Sequence, residues 1–283
     1  MEKRFRAARG ALRTTPPRTS RHRDLVVQLA ALCQALAHRH ETPAKARQWR
    51  ARARKHYLSL ADDPRHRGYK RMDEVLYQLG VLAMQEGANA DARRDAKGAL
   101  KQRQAMLKHF GRLLKEHPRS RYLAWALLAR GDFYFHVGQY KTALGIYSLV
   151  RRLYLQVAPY AMYKLGWSLF RLKRYQEALV ELRASTRSSR SARALIEAAR
   201  GDIALVGTYA GLNGKKALRY FRNTIKGADK SAGTAMFLQL ARTHVARDLR
   251  PAAIRAYRYA LGKWRHHRDA CVWVRTLEGL IRR

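Results

Sequence analysis

The chain has 283 residues, 59 Lys+Arg against 20 Asp+Glu, a formal net charge of +39 and 47% hydrophobic residues. That apolar content excludes disorder throughout, because enough surface can be buried to offset chain entropy. Charge-free stretches such as Ile203 to Gly214 fall short of the roughly 18–20 residues of a membrane span, and Cys33 and Cys271, without CxxC spacing, specify neither a disulfide framework nor a zinc ribbon.

From Met1 to about Arg23 the chain is Arg-rich, carries Pro16 and Pro17, and predicts a disordered basic arm. The arm lacks the apolar run of a secretory signal, so a cytoplasmic location is expected, with a periplasmic or envelope-associated one if the true start lies elsewhere. Residues 24–283 then form the folded part. Asp24 to Arg39 and Pro43 to Leu60 read as one helix hairpin, with Ala53 and Tyr57 as a small and an aromatic position. Leu76, Leu79 and Gly80 mark a further first helix. Met106, Phe110 and Leu113 mark its partner, and a mobile polar loop is expected from about Gly87 to Lys97.

The clearest signal follows. Gly131 and Gly166 are 35 residues apart, and Ala143 with Ala178 and Tyr140 with Tyr175 keep the same offset. Leu127 and Tyr134 flank the first glycine as Met162 and Leu169 flank the second, and each alanine is followed four residues later by Tyr147 or Leu182. A period of this size signals stacked helical repeats. In each unit a small residue on the first helix lets the second approach, and the Tyr or Leu fills the gap. The turns are short and polar, Val137-Gly138-Gln139 and Leu172-Lys173-Arg174. Glu197, Gly201, Ala217 and Phe221 continue the pattern if about four residues are inserted around Tyr209 to Gly214. Phe237, Leu240, Ala241, Ala253, Tyr257 and Ala260 resume it, and Asp269 to Ile281, with Val272, Val274, Leu277 and Leu280, suits a terminal capping helix.

These residues resemble the tetratricopeptide repeat (TPR) family, strongly over 124–186 and again over 234–260. Tyr163-Lys164-Leu165-Gly166-Trp167 and Tyr175-Gln176-Glu177-Ala178-Leu179 look like TPR segments of bacterial envelope-associated scaffolds. The fold expected is therefore all-α, a right-handed α-solenoid of about five to six TPR-like hairpins with a C-terminal capping helix. The resemblance implies that first helices line a concave groove carrying Trp125, Leu128, Asp132, Phe135 and His136 from one repeat. The next would contribute Tyr160, Tyr163, Lys164, Trp167, Phe170 and Arg171. The carboxylate clamp of chaperone-binding TPR proteins is not supported, since Tyr77, Val81, Leu128 and Asp132 occupy the corresponding positions.

No Walker loop, GxSxG, HExxH or GxGxxG is present, so neither catalysis nor a cofactor is expected. His267 and Cys271 could share a helix face, yet two ligands fall short of a zinc site, and no metal is expected. An aromatic and basic groove suits a non-catalytic adaptor or scaffold that binds protein or peptide partners, acidic ones above all. The same aromatics at helical spacing also suit packing between hairpins. The alternative is a nucleic-acid-associated helical-repeat protein, because a charge of +39 attracts any polyanion.

Overall fold

The computed structural model describes residues 1–17, 19–40, 42–188, 192–212, 214–224 and 230–282, and every regular element among them is helical. The chain divides into two units, Met1–Arg130 and Gly131–Arg283.

Unit one holds α1 (Glu2–Thr14), α2 (Ser20–Arg39), α3 (Pro43–Ala61), a 3₁₀ turn (Pro64–His66), α4 (Met72–Ala92), α5 (Ala96–Glu116) and the start of α6 (Leu123–His136). Where the sequence predicts a disordered arm, Glu2–Thr14 is helical and packs on α2. Phe5, Ala8 and Leu12 supply a narrow apolar stripe at helical spacing. Ala8 is buried and Phe5 meets Trp49 edge-on at 5.1 Å. The expected hairpin of α2 and α3 is present, with Tyr57 buried and its hydroxyl donating to Gln34 Oε1 at 3.0 Å. Gln34 in turn donates to Gln78 Oε1 of α4 at 3.1 Å.

The mobile loop expected over Gly87 to Lys97 is not observed. Helix α4 continues to Ala92, because Gly87 and Ala90 are small enough to sit buried against α5. Only Arg93 to Asp95 remain as a turn. Gly80 accepts the ring of Phe110, which occupies the space a Cβ would need.

Unit two holds the end of α6, then α7 (Tyr140–Leu153), α8 (Ala158–Arg171), α9 (Tyr175–Arg187), α10 (Arg193–Tyr209), α11 (Gly214–Thr224), α12 (Lys230–Ala246), α13 (Arg250–Lys263) and α14 (Ala270–Arg282). Consecutive helices pack together from α7 to α10 and from α11 to α14, and α10 also contacts α8 and α12. The glycine crossings expected from sequence are found: a Cβ at Gly131 would lie 2.6 Å from Tyr147 Cε1, and one at Gly166 would lie 2.6 Å from Leu182 Cγ and 3.2 Å from the Ala178 carbonyl oxygen.

Five hairpin turns share one cap. A residue with positive φ follows α4, α6, α8, α10 and α12: Arg94 (59°), Gly138 (79°), Lys173 (62°), Gly211 (75°) and Asp248 (52°). The next residue's N–H donates back five positions, as Gln139 to Tyr134, Arg174 to Leu169 and Leu249 to His244, each at 2.9 Å. This left-handed cap satisfies carbonyls that the helix end would leave open and reverses the chain within three residues.

Two expectations need correction in unit two. The irregularity of the third hairpin lies mostly in its first helix: α10 has 17 residues against 14 in α8, and the capping residue Gly211 comes 38 positions after Lys173, whereas Lys173 comes 35 after Gly138. The surplus lengthens α10. Gly201, next in the glycine series, faces open space and makes no close crossing. The terminal helix forms as expected, but Trp273 is its buried anchor, while Val272 and Val274 are exposed. Leu277 and Leu280 pack on the same core as Trp273.

The crossings predict opposite signs for two chemically identical substitutions. Gly166→Ala gains about 1 kcal/mol of helix propensity but overpacks against a backbone carbonyl that cannot rotate away, a cost of about 1–3 kcal/mol. Net destabilisation is expected. Gly145, exposed on α7 with nothing near its Cβ position, should yield only the propensity gain. Thermal melts of both variants check this, and a shift of equal sign for both would refute the close approach at Gly166.

Candidate partner-binding face

The face is built on the end of α6, on α8 and on α10. Asp132 follows Gly131, so its carboxylate emerges beside the point where α7 crosses closest. It accepts from the hydroxyl of Tyr147 at 2.6 Å and from that of Tyr160 at 3.2 Å, and Lys164 Nζ lies 3.0 Å away. The Lys164 ammonium also stands 4.9 Å from the ring centroid of Phe135 and 5.8 Å from that of Tyr160. One carboxylate therefore holds two aromatic rings and a cation in place.

A second carboxylate repeats the device. Asp202 of α10 accepts from the Tyr163 hydroxyl at 2.7 Å and from the Trp167 indole N–H at 2.9 Å. Burial pushes the Asp202 carboxyl above its ordinary range, against the opposing pull of those two donors. Tyr163 is pushed up to about 12, by burial first and then by its bond to Asp202. Tyr147 and Tyr160 shift upward from burial and from Asp132. All three hydroxyls stay protonated at neutral pH and act as donors.

Beyond these, Phe170 meets Trp167 at 5.4 Å and Tyr209 at 5.0 Å, both edge-on. Tyr175 lies 5.4 Å from Tyr209, and the Arg247 guanidinium caps Tyr209 at 3.6 Å while donating to Thr208 Oγ1 at 3.0 Å. Arg171 is exposed and lies 4.7 Å from the Tyr140 centroid.

Of the residues expected in the groove, Asp132, Phe135, Tyr160 and Lys164 come together around the first carboxylate. Tyr163 and Trp167 come together around the second. Phe170 joins the ring cluster, Arg171 borders Tyr140, and His136 is exposed without a place in either network among the described residues. Trp125 is 54% exposed and Leu128 is buried, and both belong to unit one.

The sequence reading missed Asp202, Tyr209, Tyr140 and Arg247. Within the networks Asp132 sits against Lys164 and Asp202 adds a second negative group, while Arg171 and Arg247, with Lys173 and Arg174 beside Tyr175 and Tyr209, place cations at one end. His267 and Cys271 do not share a helix: His267 precedes α14 and stacks on Trp273 at 4.8 Å, and Cys271 is exposed. Among the described residues no three His, Cys, Asp or Glu side chains converge as metal ligands, and no helix is long and apolar enough to cross a membrane.

No family model matches this chain, and neither does any curated protein.

Asp202 offers a check on the second network. Its folded pKa is raised, so ionisation costs stability that is recovered as pH falls through that pKa. Asp202→Asn keeps an acceptor oxygen for Tyr163 and Trp167 and removes the half-buried charge. At pH 7 it should equal or exceed the parent by up to about 1 kcal/mol. Asp202→Leu leaves two donors unpaired and should lose about 1–3 kcal/mol. Urea denaturation of both variants decides, and equal losses would mean that the charge itself is required.

Proposed function

We propose that the hairpins are TPR-like, that within each unit they stack in the right-handed sense, and that the protein is a non-catalytic adaptor. Its face on α6, α8 and α10 binds a segment of an acidic protein. The observation that carries this reading is the fixing of Tyr160, Lys164, Tyr163 and Trp167 by the carboxylates of Asp132 and Asp202. Rings held in place before a partner arrives lose little rotamer entropy on binding. Tyr160, 36% exposed, and the partly exposed Phe170 offer apolar contact. Arg171 and Arg247 take the acidic side chains. Lys164, Tyr163 and Trp167 serve as positioning groups.

A second reading, association with RNA or DNA, is favoured by the net charge of +39. In that reading phosphate contacts would spread over the 59 Lys and Arg of the whole chain and not depend on this face. Salt separates the two. A synthetic peptide alternating aspartate and phenylalanine should keep most of its affinity between about 50 and 200 mM salt, whereas oligouridylate should lose orders of magnitude. Replacing Phe170 and Arg171 together by alanine and glutamine should abolish peptide binding and spare the RNA. If peptide binding is untouched by that pair, or collapses with salt as RNA does, the adaptor reading fails.

A further inference from the structure

In unit one, α3 lays Arg47, Arg50, Ala51, Arg54, Lys55 and Leu58 along one face. Leu82 and Glu86 of α4 and Gln102 of α5 stand opposite, and together they enclose an open cavity of about 380 Å³. Four cations meet one carboxylate there. Glu86 is engaged by Arg50, whose guanidinium is thereby held against α4. Among the described residues no ion pair takes up Arg47, Arg54 or Lys55. Gln102 adds a further unmet group: its buried Oε1 has no hydrogen-bond partner among the described residues. Turning the amide over would aim an N–H donor from the same place.

We propose that this cavity binds a small phosphate ester. Guanidinium forks match two phosphate oxygens at once, and Arg47, Arg54 and Lys55 line the cavity from one helix face, Arg54 half-buried and Arg47 and Lys55 exposed at its mouth. Ala51, Leu58 and Leu82 form the walls and take the apolar body of the ester. Gln102, with its amide turned, donates to a remaining oxygen. The volume lies in the usual range for small-molecule sites. This proposal concerns unit one alone and does not rest on the adaptor reading.

The test is calorimetric titration of the full chain with phenyl phosphate at about 150 mM salt, where scattered surface charge is largely screened. One saturable site is expected, about tenfold tighter than for inorganic phosphate, because the ring adds apolar burial. Arg47→Gln with Arg54→Gln should weaken it by about tenfold or more. Arg152→Gln with Arg258→Gln, which removes the same charge from exposed positions elsewhere, should leave it within about twofold. Glu86→Gln frees Arg50 and deletes the one opposing charge, and should tighten binding about threefold. That gain cannot come from a damaged fold. Absence of saturation, equal losses in the two double variants, or weaker binding in Glu86→Gln would overturn the proposal. Inorganic phosphate binding as tightly as the ester would overturn the role of the walls.

Discussion

Tyr147→Ala is expected to destabilise unit two by about 3–5 kcal/mol, whereas Tyr147→Phe should cost about 1.5–3 kcal/mol. The difference isolates two contributions of one side chain. Tyr147 is fully buried, and its ring fills the space left by Gly131. Alanine would open a cavity at the closest crossing of α6 and α7, and the surrounding helices could collapse into it only in part. Phenylalanine keeps that packing and deletes only the hydroxyl that donates to Asp132 at 2.6 Å, a bond strengthened by the acceptor's charge. Denaturant titration measures both. Equal losses would place the whole effect in the hydroxyl and contradict the packing role of the ring, and losses below about 1 kcal/mol for both would contradict its place in the core.

The second large effect is a loss of stability in mild acid, driven by His109. This side chain of α5 is buried, and its Nδ1 has no hydrogen-bond partner among the described residues. Burial holds its pKa down to about 4, helped by the positive charges of Lys108 and Arg112 on its own helix and of Arg54 on α3, with Asp62 opposing. The unfolded chain, at an ordinary 6.5, binds the proton more readily. Stability is therefore retained above about pH 6.5 and lost as pH falls towards about 4, by about 3 kcal/mol for this group. His66 and His244 are shifted down by burial as well and add to the slope. His109→Leu should flatten the dependence of melting temperature on pH across that window and raise stability at pH 5. An unchanged slope would show that His109 is already charged in the folded chain.

The crossings at Gly131 and Gly166 were legible because a small residue and its partner four positions after an alanine are both local and periodic. The caps were only half legible. Gly138 announces a left-handed turn, but Arg94, Lys173 and Asp248 adopt the same backbone with side chains that give no such sign. The N-terminal helix escaped because its apolar stripe is three residues wide in a run of arginines. The site was legible in its members and not in its pairings. Asp132 and Asp202 both follow a glycine, 70 residues apart, and that doublet is the signal that would have found the second carboxylate. Tyr209 at the end of α10 and Arg247 just past α12 meet at 3.6 Å, a pairing that spacing alone does not predict.

An adaptor of this kind must seat its partner on α8 and α10. Amide hydrogen exchange of the protein with and without the aspartate–phenylalanine peptide reads this directly. Slowed exchange is predicted along α8, from Ala158 to Arg171, and along α10, with α7 and α9 unchanged. Slowing spread over the arginine-bearing second helices, with α8 unaffected, would contradict it.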